Sequence, residues 1–538
     1  MQRNKRDDHE DLVLDAIGIM KAFFTLSLFV ATSGFAYTKG ETYKITVLHT
    51  NDHHGAFWKN GDDEYGMAAR ATLIKKLRGE IESAGGYVLL LDGGDVNTGT
   101  PESEMADAEP DFLGMSQMGY DAMAVGNHEF DKPFDVLLKQ RKEWAKFPML
   151  SANIYDKKTK KRFFEASKLF KFKDLKIALF GLTTEQTPMQ SIRFPKDRLD
   201  LRNPVAEAAK LVPELRNKAD VVFAVTHMGH YPNEQHGSRA PGDVTLARKV
   251  DGIDLIIGGH TQLPLFTADY ENGTYIVQAG EWGKHLGRVD LEFKDGVLQM
   301  KKYELIPVNL KASLTKANKI GEDDAMLKLL KPFRDRALEE TGKVVGKAVG
   351  KFEGHRSVIR KQETNLGNFV TFLMAKSTDA DIAITDSGVI RNSLESGEVR
   401  YGDILSVHPM AFALKFATVE LTGAELREYL KKVSVLTDGS YPQFYGIKVR
   451  LKGADLVDVQ IKEKASGSFR PLESGKRYRL AITDFIASGG DSYPELSKHK
   501  TYQESELTDA AVMRKYFEVH KEVKASDFAP IGNLIKES

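Results

Sequence analysis

Residues 45–55, ITVLHTNDHHG, decide how the rest of the chain is read. The apolar, β-branched start (Ile45, Val47, Leu48) predicts a buried strand, and the strand stops at Asn51, Asp52, His53 and His54, followed by Gly55. Side chains of metal-ligand type therefore stand at a strand's end. Asp52 and His54 are two residues apart, so in extended chain both would point to one side and could grip one ion. Ordinary surface turns also gather Asp and His, so the pair gains its weight from recurrence.

Four later stretches repeat the pattern. YVLLLDGGDVNTG (87–99) runs a buried strand into Gly93, Gly94 and Asp95; YDAMAVGNHEFD (120–131) runs into Asn127, His128, Glu129 and Asp131. ADVVFAVTHMGH (219–230) ends at His227 and His230, and IDLIIGGHTQ (253–262) ends at His260 and Gln262. Apolar residues at helical spacing over 67–84, 135–145 and 204–217 separate these strands and predict an α/β layered domain, a class whose sites lie beyond the strands' carboxyl ends. Five such ends on one sheet edge exceed what turn chemistry explains. Carboxylate, imidazole and amide ligands suit zinc, manganese, cobalt or iron better than calcium or magnesium, and more than four ligands imply two ions sharing a carboxylate.

A chain of 538 residues is too long for one core, so at least two domains are expected. Lys plus Arg and Asp plus Glu are both 76, which argues against a nucleic-acid polymer or an anionic membrane as partner. With no cysteine, thiolate chemistry, disulfides and Cys-type zinc sites are excluded. Residues 20–36, MKAFFTLSLFVATSGFA, have the pattern of a cleaved secretory signal, with an apolar stretch too short to span a bilayer, and cleavage is expected near Ala36. The mixed, acidic residues 1–19 are unlike a signal and read as an upstream extension, with translation starting at Met20. No cysteine follows the cleavage site to carry a lipid, so no stable membrane anchor is expected.

NDHHG, GGD, GNHEFD, THMGH and GGHTQ together resemble the dinuclear calcineurin-like metallophosphoesterases and, more narrowly, the bacterial periplasmic 5′-nucleotidase and UDP-sugar hydrolase family, from about Tyr43 to about residue 525. The resemblance implies a metallophosphoesterase β-sandwich flanked by helices over 37–323, a linker or hinge helix over 324–344, and a smaller α+β substrate-binding domain over 345–538. It further implies that Asp52, His54 and Gln262 hold a first metal, that Asn127, His227 and His260 hold a second, and that Asp95 bridges them. His128 resembles the family's catalytic histidine, with Asp131 orienting its ring. His53 and His236 read as solvated or structural.

Beyond residue 344 the ligand clusters cease and arginine and glycine motifs take over. Arg356, Arg360 and Arg391 match the family's phosphate-binding arginines, a role their planar guanidinium groups suit. In FIASGGDSYPEL, Phe485 is similar to an aromatic that stacks on the nucleobase and Asp491 to a contact of the ribose hydroxyls. The chain departs from the pattern at Met410, where relatives carry a second stacking Phe, and at Phe412, where they carry a small amide. The expected function is periplasmic, metal-dependent removal of the 5′-phosphate from nucleotides by a monomer, extending to nucleotide diphosphate sugars and cyclic nucleotides. The alternatives are a 2′,3′-cyclic-nucleotide 2′-phosphodiesterase with 3′-nucleotidase activity and a nucleotide-binding protein with a disabled centre.

Overall fold

The computed structural model describes residues 37–191, 193–232, 241–408 and 414–537. The signal-type segment, His236, Met410 and Phe412 lie outside them.

β1 (Thr42–Thr50) is central to a six-stranded sheet because its residues are buried on both faces: Val47 packs inward and Leu48 outward. It pairs in parallel with β2 (Tyr87–Asp92), which leads to β3 (Ala122–Ala124) and β4 (Met149–Leu150), also parallel. β5 (Ile154–Asp156) pairs apart from both large sheets with β8 (Leu199–Leu201). The second six-stranded sheet places β6 (Ser167–Phe172), β7 (Leu175–Thr183), β9 (Val221–His227), β10 (Leu255–Ile257), β12 (Thr274–Val277) and β11 (Asp269–Glu271) side by side. β13 (His285–Lys294) and β14 (Val297–Pro307) then return antiparallel to β1 and complete the first sheet. Alternate residues of the two sheets, among them Leu89, Leu91, Ile177, Leu179, Phe223 and Val225, meet face to face, and the opposite faces are covered by helices. A sandwich flanked by helices results.

The covering helices run Met67–Ser83 and Pro204–Arg216, close to the spans that periodicity predicts. The segment expected as one helix over 135–145 is an α-helix only over Phe134–Lys139 and widens to a π-helix over Gln140–Trp144. The widening falls at Gln140, whose buried amide exchanges hydrogen bonds with the Asn97 side chain beside the strand ends. A long helix, Asp324–Thr341, starts at the Asp323 cap and buries Met326 and Leu330 in the first domain's helical layer. It ends three residues short of the expected 344, since Val344 opens a strand, Val344–Val349.

The remaining residues form a separate core around a five-stranded mixed sheet, with Ile382–Asp386 between Pro442–Tyr445 and Arg477–Thr483, and helices Asn365–Ser377, Gly423–Val433 and Asp509–His520 against it. Among the described residues no helix is long and apolar enough to cross a membrane.

Candidate metal centre and substrate cleft

The parallel strands β1, β2, β3, β9 and β10 all deliver their ligand-type residues to one edge of the sandwich. Asp52 and His54 do not reach it through extended chain. Both adopt left-handed backbone (φ 51° and 48°), as do Asp95 (61°), His260 (75°) and Gln262 (58°). Non-glycine residues take that conformation at a cost, and five of them together mark a place where the surrounding structure fixes the turn against local preference. Glycine supplies the space: a methyl group on Gly126 would run into the Asp95 carboxylate, and one on Gly259 would lie 3.1 Å from both Asp52 Oδ2 and His227 Nδ1.

Asp95 is the hub, buried, with His227 Nε2 2.8 Å from its Oδ2 and the Nε2 atoms of His54 and His128 each 4.0 Å away. Burial alone would raise its pKa, but His227, His128 and His54 hold the carboxyl well below the usual range. His227 is raised to about 10: burial opposes its charge, and the Asp95 carboxylate overrides burial. Beside it His260 is lowered to about 3 by burial and the charge of His227. His128 donates from Nδ1 to Asp131 Oδ2 at 2.5 Å and rises to about 9, because Asp131 and Asp95 outweigh burial. The Thr98 hydroxyl also donates to Asp131 Oδ2, at 2.9 Å.

The donor set fits cations. His54 donates from Nδ1 to the Thr98 carbonyl and His227 from Nδ1 to the Gly93 carbonyl, both at 2.7 Å, which turns each Nε2 inward as a ligand must be turned. Asp52 Oδ1 and Asn127 Oδ1 are buried acceptors with no hydrogen-bond donor. Gln262 Nε2 lies 2.7 Å from His54 Nε2, and the His260 ring is 3.3 Å from His227 Nε2. Among the described residues two groups of ligand atoms result, His54 with Asp95 and His128, and Asp95 with His227 and His260. His53 is instead buried against Asp111 at 2.9 Å, and His230 pairs with Asp269 at 2.8 Å.

Across from these groups a cleft of about 470 Å³ opens between the two cores. His54, His128 and Gln262 line it from the first core, Arg356, Arg360 and Arg391 from the second, and Tyr65, Trp282 and Lys284 also belong to the lining. Burial and the charges of Arg391 and Arg356 push the Arg360 guanidinium down to about 10, so the cluster favours an anion. Phe485 and Asp491 are not in this lining: the Phe485 ring is buried against Gly490, while Asp491 interacts electrostatically with Arg391, Arg360 and His128.

Sequence reasoning did not single out Trp282 or Asp386. Trp282 takes left-handed backbone and donates its N–H to the Asp52 carbonyl at 2.8 Å, a role with no local sequence signature.

A two-layer sheet with imidazoles and carboxylates gathered at its carboxyl edge is the arrangement of a phosphoesterase, and residues 45–264 match the calcineurin-like phosphoesterase family, residues 344–498 the 5′-nucleotidase C-terminal domain. The chain is 46% identical to a 5′-nucleotidase of Vibrio vulnificus, covering 92% of this chain and 94% of that protein, and 41% identical to Protein UshA of Escherichia coli, covering 96% and 98%. A 5′-nucleotidase precursor from Thermus thermophilus superposes with a TM-score of 0.76 at 26% identity, covering 92% of this chain and all of that structure. The chain belongs to the 5′-nucleotidase family and is a nucleotide-hydrolysing enzyme.

Proposed function

We propose that the enzyme is a periplasmic 5′-nucleotidase that uses two divalent cations, zinc, manganese or cobalt, and also cleaves nucleotide diphosphate sugars. The observation that carries this reading is the Asp95 hub, with His54, His128 and His227 around it and unpartnered Asp52 and Asn127 oxygens beside it, facing three arginines across one cleft. Asp52, His54 and Gln262 would hold one cation, Asn127, His227 and His260 the other, and Asp95 both. Such a pair of cations activates water and neutralises phosphoryl charge.

The chain's own residues supply the rest. Arg356, Arg360 and Arg391 bind and orient the phosphate. His128, oriented by its 2.5 Å hydrogen bond to Asp131, stabilises the oxygen that develops charge and returns a proton to the leaving group. Phe485 and Asp491 stand outside the cleft lining, so they would meet base and ribose only where a bound nucleotide extends past the arginines. Residues 37–323, 324–344 and 345–538 act as phosphoesterase unit, connector and nucleotide-binding unit.

The test measures phosphate release from AMP, a UDP-sugar and a 2′,3′-cyclic nucleotide, with chelator and after cation return. AMP hydrolysis abolished by chelator and restored by one of the three cations is expected. Preference for the cyclic substrate would reassign the enzyme, and chelator-resistant turnover would remove the cations.

A further inference from the structure

Strand Ile382–Asp386 ends at Asp386, whose carboxyl group is wholly buried; the backbone N–H groups of Asp386 and Val389 and the Arg391 charge favour its ionised form, but burial and the neighbouring Asp491 outweigh them. An ionised carboxylate is too costly there, so the group takes a proton. Its neighbour is a second carboxyl: a methyl group on Gly388 would lie 2.9 Å from Asp386 Oδ2 and 3.2 Å from Asp491 Oδ2. The two acids therefore converge on one side of that glycine. Asp491 is held there in left-handed backbone (φ 48°).

Burial raises both groups. Asp386 goes well above the carboxylate range, with the Asp491 charge adding to burial, whereas Arg391 and Arg360 pull Asp491 back. Arg391, Arg360, Tyr429 and Tyr493 also face Asp386, and burial keeps both tyrosines as phenols. Two carboxyls whose surroundings push them apart divide the roles of acid and base.

We propose that Asp386 is a positioning residue: as a carboxylic acid it donates its proton to Asp491 and holds Asp491 as an ionised acceptor turned towards the two hydroxyls of a ribose. The inference rests on the reading of Asp491 as the ribose contact. Selectivity for ribonucleotides is then set one residue behind the contact, by a group that never touches substrate.

The experiment compares AMP with 2′,3′-dideoxy-AMP in the wild type, Asp386→Asn, Asp386→Val and Asp491→Ala, each checked by thermal melting. Asp386→Val should raise KM for AMP about 10-fold with little change in kcat, the size of a lost hydrogen bond to a charged group, and should collapse discrimination against the dideoxy substrate. Asp386→Asn keeps a donor and should retain it. A second arm follows pH: in the wild type KM for AMP should rise on the alkaline side as the shared proton leaves and the two carboxylates repel, and Asp386→Asn should lack that rise. Discrimination intact in Asp386→Val, or equally lost in Asp386→Asn, overturns the proposal; if Asp386→Val does not fold, the pH arm decides, and an alkaline rise retained by Asp386→Asn overturns it. Unchanged discrimination in Asp491→Ala would sink the underlying ribose reading instead, whereas loss there without loss in Asp386→Val sinks only the positioning role.

Discussion

Glu129 sits wholly buried between two strand ends, where its carboxylate accepts from the backbone N–H groups of Gly126 (2.7 Å), Val96 (2.8 Å), Asp95 (3.0 Å) and Asn97 (3.3 Å). It ties the GNHEFD turn to the GGD turn and so fixes where Asp95 stands. The sequence shows which residue types cluster at these ends, because ligand chemistry restricts the types. It does not show the left-handed turns at Asp52, His54 and Asp95, because contacts from distant strands impose them. Two substitutions test the roles proposed here. Asp95→Asn should lower turnover by orders of magnitude even at saturating metal, since the amide lacks the charge that would hold both cations; near-normal phosphate release would remove the bridge. His128 and His54 stand equally far from Asp95, so geometry alone does not separate a catalytic group from a ligand. His128→Ala should cut kcat roughly 10²- to 10⁴-fold with metal content unchanged, and a parallel fall in bound metal would make His128 a ligand.

At the scale of elements, the pairing of β1 with β13 brings His49 opposite Gly287, across more than two hundred residues of chain. Nothing local announces that partner, which is why the antiparallel edge of the first sheet is illegible while the apolar runs of β1, β2, β9 and β10 are plain. The missing side chain of Gly287 makes room for the His49 ring, which stacks on Tyr303 of β14 at 6.1 Å with neither nitrogen hydrogen-bonded. Burial lowers its pKa from 6.5 to about 3. The unfolded chain therefore binds the proton first: stability from this group is whole above 6.5 and is lost as pH falls from 6.5 towards 3. Between about pH 7.5 and about pH 5 the loss is roughly 2 kcal/mol. His49→Leu should flatten that part of the urea-denaturation stability curve, and an unchanged slope would place the pH dependence elsewhere.

For the whole molecule, the metal-type ligands belong to one core and the arginines to another, so a phosphate can react only where both reach it. The helix Asp324–Thr341 packs Met326 and Leu330 on the first core, pairs Arg334 with Glu102, and hands the chain through Gly342 to the second, whose Arg400 donates to the Gly342 carbonyl at 2.9 Å. A second contact joins the cores where helix Thr187–Gln190 meets the turn Gly490–Ser492, next to Asp491. We propose that, with substrate gripped from both sides, product leaves when one side withdraws and that the connector, attached at both ends, absorbs the motion. Cysteines introduced in pairs across that second contact have no native thiol to compete with them. Phosphate release from AMP should slow on oxidation and recover on reduction, while the corresponding single-cysteine proteins respond to neither treatment. Equal rates in both states, with the crosslink confirmed by mass, would mean that product escapes through the standing cleft and that the helix is a spacer without a hinge.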